Sequence, residues 1–114
     1  WPVQLRLVSP MAGFFDGADL LLAADCSAFA RGDFHARYMK GKVTVIGCPK
    51  LDPVDYSEKL TEIFRLHNIR SVTLVRMEVP CCGGLERAVQ KALAACGRPI
   101  PFESVTLSVR GEIL

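Results

Sequence analysis

The chain has no stretch of apolar residues long enough to cross a bilayer. Every hydrophobic run is broken within about ten residues by Asp, Arg, Lys or Pro, and a spanning helix needs roughly 20. It also has no excess of charge: 14 basic and 12 acidic side chains are mixed along 114 residues, and no Lys/Arg run forms the footprint of a nucleic-acid binder. Its opening residues, Trp-Pro-Val-Gln-Leu-Arg, carry neither a basic segment nor a long apolar one, so they do not read as a signal peptide. No Met stands at position 1, which points to a domain cut from a longer protein. The chain holds no C-x-x-C, no Gly-x-Gly-x-x-Gly, no P-loop and no Ser-His-Asp constellation. Zinc-finger, thioredoxin and nucleotide-enzyme signatures are thereby absent. What is present is a 50% hydrophobic composition, enough for one core in one domain spanning residues 1–114.

Three hydrophobic runs each end on cysteine. Residues 18–24 run into Asp25-Cys26, residues 43–47 into Cys48-Pro49, and residues 72–80 into Cys81-Cys82-Gly83-Gly84. Their nearly unbroken apolar character is that of strands covered on both faces. Residues 3–9 alternate apolar and polar side chains up to Pro10 and read as a further strand near an edge, and residues 103–110 alternate in the same way as a last strand. Residues 11–17 form a turn-rich connection with room for a short helix. A loop and a short helical segment closed by Gly41 fill residues 26–42.

Asp52-Pro53 reads as an N-cap with proline at the first helical position, followed by a helix whose inner face carries Tyr56, Leu60, Ile63, Phe64 and His67. Asn68 is expected to close it, with His67 meeting the helix dipole. Gly83-Gly84 opens a second helix with Leu85, Val89, Ala92, Leu93 and Cys96 inward, and Gly97 stands where a C-terminal glycine belongs. Strands alternating with helices, joined by right-handed crossovers, give an α/β fold of three layers around a mostly parallel sheet, flavodoxin-like or Rossmann-like.

In such sheets ligands bind beyond the carboxyl ends of the strands, where Cys26, Cys48, Cys81 and Cys82 gather. Thiolates select soft metals, and four of them complement either zinc or a [4Fe–4S] cluster. Gly47, Gly83 and Gly84 allow close backbone approach to such a group, and the helix start at Gly83-Gly84 is expected to depress the pKa values of Cys81 and Cys82. His35 stands in reserve as a ligand or proton donor, Asp25 and Lys50 read as solvated loop residues, and Cys96 reads as core. Five cysteines outside any disulfide spacing fit a reducing cytoplasm.

The segments Trp1-Pro2-Val3-Gln4-Leu5, Ala24-Asp25-Cys26, Ile46-Gly47-Cys48-Pro49-Lys50-Leu51-Asp52 and Met77-Glu78-Val79-Pro80-Cys81-Cys82-Gly83-Gly84 resemble the C-terminal region of a family of ferredoxin-like iron–sulfur proteins of anaerobic bacteria and archaea. The resemblance covers essentially the whole chain. It implies a domain that follows a di-cluster ferredoxin module and works in electron transport, with that module or a redox partner protein as its partner. In architecture the chain is also similar to the cluster-bearing small subunits of nickel–iron hydrogenase and respiratory complex I. Those carry a Gly-Cys-Pro ligand like Gly47-Cys48-Pro49 and, in complex I, a tandem pair like Cys81-Cys82, though the tandem pair comes first there and last here. The Cys-Cys-Gly triplet is similar to one in heterodisulfide reductase subunits. The function expected is binding of a metal centre, [4Fe–4S] or alternatively zinc. The competing expectation is a zinc-bound or metal-free domain that docks a ferredoxin module onto a redox partner.

Overall fold

Four strands lie side by side, all parallel, in the order β2-β1-β3-β4, as described for residues 1–114 by a computed structural model. They are β1 (Asp19–Ala24), β2 (Val43–Gly47), β3 (Ser71–Met77) and β4 (Phe102–Leu107). The helices are α1 (Ser27–Ala30), α2 (Tyr56–Leu66) and α3 (Gly83–Ala95). Single turns of 3₁₀-helix at Gly13–Phe15 and Pro80–Cys82, and a π-helical turn at His35–Met39, complete the set.

The strand order dictates the layers. The chain moves from β1 outward to β2, then back across β1 to β3 and on to β4. With right-handed crossovers, the β1–β2 connection covers one face while α2 and α3 cover the other. α2 and α3 accordingly pack against each other. The result is the α/β fold of three layers expected from the chain, with the sheet wholly parallel.

Burial follows the hydrophobic runs. Leu20, Leu21 and Leu22 of β1 and Leu74 and Val75 of β3 are fully enclosed, because the two central strands are covered on both sides. Leu60, Ile63 and Phe64 of α2 and Leu85, Val89 and Ala92 of α3 close the core from the helical side. Register fixes the rim: Ala24 pairs with Gly47, Ala23 with Val75, and Met77 with Leu107. The three cysteine-bearing segments therefore leave the sheet at nearly one level.

Three local expectations are corrected. Residues 3–9 are not a strand. Only Gln4 bridges Ile46, and the chain then turns, with the amides of Leu7 and Val8 both donating to the Gln4 carbonyl. The buried residues there are Leu5 and Val8, three apart, a turn-like spacing that alternation disguised. Second, the N-cap of α2 is Asp55, whose carboxylate accepts from the Ser57 amide at 2.9 Å; Asp52 points elsewhere. Third, α2 ends at Leu66 with His67, not Asn68, as its C-cap, and the His67 ring is not spent on the dipole: Nε2 faces the Pro10 carbonyl at 2.7 Å and Nδ1 faces Asp16. Gly97 does occupy the left-handed position that follows α3, with φ of 76°.

Candidate functional site

Strand order reverses between β1 and β3, since the connection from β1 runs to one side and that from β3 to the other. Beyond the carboxyl ends at such a point the loops diverge and leave a crevice. Here the crevice is a cavity of about 350 Å³. The end of β1, the turn after it and the end of α1 contribute Ala24, Asp25, Cys26, Phe29 and Ala30; the end of β2 and the turn after it contribute Gly47 and Cys48. Met77, Val79, Cys81 and Cys82 come from β3 and the turn after it, and Val109 from the turn after β4.

All four candidate ligands thus line one cavity. Cys26, at the N-terminus of α1, and Cys81 are exposed at its mouth; Cys48 is half-buried and Cys82 buried. All five cysteines are free thiols. Cys96, the remaining one, is buried at the end of α3, its thiol donating to the Leu93 carbonyl at 3.3 Å. It belongs to the core, as its helical phase indicates. His35 is exposed on the π-helical turn and is not part of the cavity wall.

The glycines divide. Gly47 is part of the wall, and a Cβ there would stand 2.9 Å from the Tyr56 ring. Gly83 and Gly84 lie outside the wall and serve packing: a Cβ on Gly84 would meet Pro49 at 3.2 Å, and one on Gly83 would meet the Arg87 guanidinium at 3.1 Å. The lack of a side chain at Gly84 lets the Cys48-Pro49 turn come down onto the start of α3.

Electrostatics at the site run against one expectation. Cys82 precedes α3 but makes no capping bond with its side chain, and burial pushes its thiol up from the ordinary range, outweighing the hydrogen bond at Met77 that acts the other way. Its pKa is raised where the helix start was expected to depress it. Asp25 is also not a solvated loop residue. Its Oδ1 is buried without a partner, and desolvation raises its pKa despite a hydrogen bond from the Gln4 side chain.

Cys48 is held by its backbone. Its N–H donates to the Tyr56 hydroxyl at 2.9 Å, while its carbonyl accepts from the amides of Leu51 and Asp52. The Tyr56 hydroxyl in turn donates to Asp52. The sequence marked Tyr56 only as a core residue; an aspartate four residues before a tyrosine, i to i+4, was the signal that could have linked them.

A wall of four thiols in apolar surroundings suits a soft, sulfur-ligated group and offers little to a hard cation, which takes oxygen ligands. With the side chains as they stand, no three His, Cys, Asp or Glu groups are arranged to hold a metal ion. No helix is long and apolar enough to cross a membrane.

A family model described as "Rossmann-like domain" matches residues 12–114. An uncharacterized protein of Archaeoglobus fulgidus is 34% identical over 114 residues, an alignment that takes in 99% of this chain and 80% of that protein. No solved structure matches.

Proposed function

The chain belongs to the Rossmann-like domain family, and on that scaffold we propose that the thiol-lined cavity binds an iron–sulfur cluster, [4Fe–4S], through Cys26, Cys48, Cys81 and Cys82. One observation carries the reading: four thiols from the ends of three adjacent parallel strands line a single apolar cavity at the point where strand order reverses. A lone tetrahedral zinc ion, with bonds of roughly 2.3 Å, needs its sulfurs within roughly 4 Å of one another. A cubane puts its own core between the thiolates, so it suits ligands spread around a cavity.

When bound, a thiolate-ligated cluster supplies one-electron transfer at a potential set by its hydrogen bonds and solvent exposure. The chain's own residues do the rest. Ala24, Met77 and Val79 keep the inner wall dry, and Cys26 and Cys81 leave an exposed edge toward a partner. In this reading the domain serves electron transport or redox sensing in a reducing cytoplasm, as part of a ferredoxin-like iron–sulfur protein, with a ferredoxin module or redox partner at the exposed edge.

Phe29, 93% exposed yet part of the cavity wall, favours a second reading. In it the domain holds zinc or no metal and docks a ferredoxin module onto a redox partner through this apolar lip. Metal analysis of protein isolated without oxygen separates the two. Iron with acid-labile sulfide supports the cluster; zinc, or empty thiols that take up no iron, supports the docking domain.

A further inference from the structure

Cys48 differs from the other cavity thiols in how its backbone is fixed. The 48–52 turn closes through the Leu51 and Asp52 amides on the Cys48 carbonyl, at 3.1 and 2.9 Å. The Cys48 N–H points away from that turn to the hydroxyl of Tyr56, a residue 4% exposed whose ring fills the space above Gly47. Asp52 accepts the Tyr56 proton and lies 3.6 Å from the Arg6 guanidinium. The hydroxyl is therefore held by an acceptor and committed to the Cys48 amide as an acceptor itself. Burial and Asp52 both push the phenol's pKa up, so it remains protonated.

We infer that Tyr56 is a positioning residue for Cys48: it draws the Cys48 amide proton away from the cavity and fixes the turn that carries this thiol. The effect on a bound cluster has a definite sign, and that part of the inference rests on the reading above. Hydrogen bonds to the sulfurs and access of water are among the determinants of a cluster's potential, and both stabilise the more negative, reduced state. Removing the hydroxyl frees the Cys48 N–H to face sulfur or water on the cavity side. Either outcome moves the potential in the positive direction.

Tyr56→Phe keeps the buried ring and removes only the hydroxyl. In the metal-free protein, amide hydrogen exchange at Cys48 should accelerate about tenfold, the factor that corresponds to losing one ordinary hydrogen bond. Tyr38→Phe, which alters the other buried tyrosine, should leave Cys48 exchange unchanged. In protein loaded anaerobically with iron and sulfide, Tyr56→Phe should shift the midpoint potential positive. Gly47→Ala, whose Cβ would collide with the Tyr56 ring, should shift it the same way. Unchanged exchange at Cys48 in Tyr56→Phe overturns the inference, as does a potential equal to that of the unaltered protein. If the unaltered protein takes up no iron, the cluster reading fails by itself, and the exchange measurement still decides what Tyr56 does.

Discussion

Gly111 and Gly97 have similar backbone angles but stand in different surroundings. Both have positive φ, 85° and 76°, a region that costs a residue with a Cβ about 1–2 kcal/mol. Nothing lies within 4 Å of a Cβ placed on Gly97, whereas one on Gly111 would stand 2.1 Å from the Ala30 carbonyl oxygen. Gly97→Ala should therefore cost about 1 kcal/mol in denaturant unfolding. Gly111→Ala should cost about 3 kcal/mol, since the steric term adds to the backbone term. The larger loss has a local consequence, because Gly111 seats the turn carrying Val109 against the Ala30-Arg31 end of α1, reinforced by Arg31 donating to the Gly111 carbonyl at 2.7 Å.

Asp25 gives a pH-dependent prediction at the same scale. Its folded pKa is raised above the unfolded value of 3.8, so its contribution favours folding when protonated, at or below pH 3.8, and is lost as pH rises through the folded value. At neutral pH the ionised carboxylate therefore weakens the fold. Asp25→Asn should raise Tm at pH 7, with the gain shrinking as pH falls toward 3.8. A gain that grows on acidification would contradict this sign. The Cys82 thiol follows the same rule at alkaline pH. Burial raises it above its ordinary value of 9.0, so in the metal-free protein iodoacetamide should alkylate exposed Cys81 well before Cys82.

At the scale of elements, β1 and β3 could be read from sequence because both faces of each are buried and the apolar pattern is nearly continuous, and β2, an edge strand with only Val45 and Gly47 buried, because its Val-Thr-Val-Ile run is β-branched. α2 and α3 were equally legible from their three-and-four spacing. The failures occurred where side-chain chemistry overrode pattern. Leu5 and Val8 sit in a turn held from outside: the Lys59 ammonium, projecting from α2, donates to the carbonyls of Arg6 and Val8, both at 2.9 Å. No local alternation encodes a partner 51 residues away. Asp52 and Asp55 are both good N-caps by composition, and Asp52 was diverted by the Tyr56 hydroxyl. That the four thiols line one cavity followed from strand ends. Its apolar wall of Phe29, Met77, Val79 and Val109 did not, because those residues look like ordinary core in sequence.

Arg98 is the element-scale counterpart of a cap. Its guanidinium donates to the carbonyls of Phe64 and His67, among the last of α2, which an isolated helix would leave without partners. Charge-assisted bonds of this kind are worth about 1.5–3 kcal/mol. Arg98→Ala should destabilise the domain by about that much and open the last turn of α2 first, as faster amide exchange at Leu66 and His67 would register. Arg98→Leu losing no more stability than a typical exposed substitution would rule the cap out.

For the molecule as a whole, fold and site have one cause. The chain leaves β1 for one edge of the sheet and β3 for the other, so the loops part between them and leave the cavity, while the core lies behind it among Leu20, Leu22, Leu74 and Leu85. Stability and chemistry are thereby separated along the strands. Leu74→Ala should cost about 2–5 kcal/mol. Cys26→Ser and Cys81→Ser, at the exposed mouth, should change metal-free stability by less than about 0.5 kcal/mol.

The most direct measurement of the central claim is iron and acid-labile sulfide per chain after anaerobic reconstitution, for the unaltered protein and for each single Cys→Ser variant. The account predicts about four of each in the unaltered protein and in Cys96→Ser. It predicts a marked loss of iron in Cys26→Ser, Cys48→Ser, Cys81→Ser and Cys82→Ser. Equal iron in all five variants, or none in the unaltered protein, would contradict it.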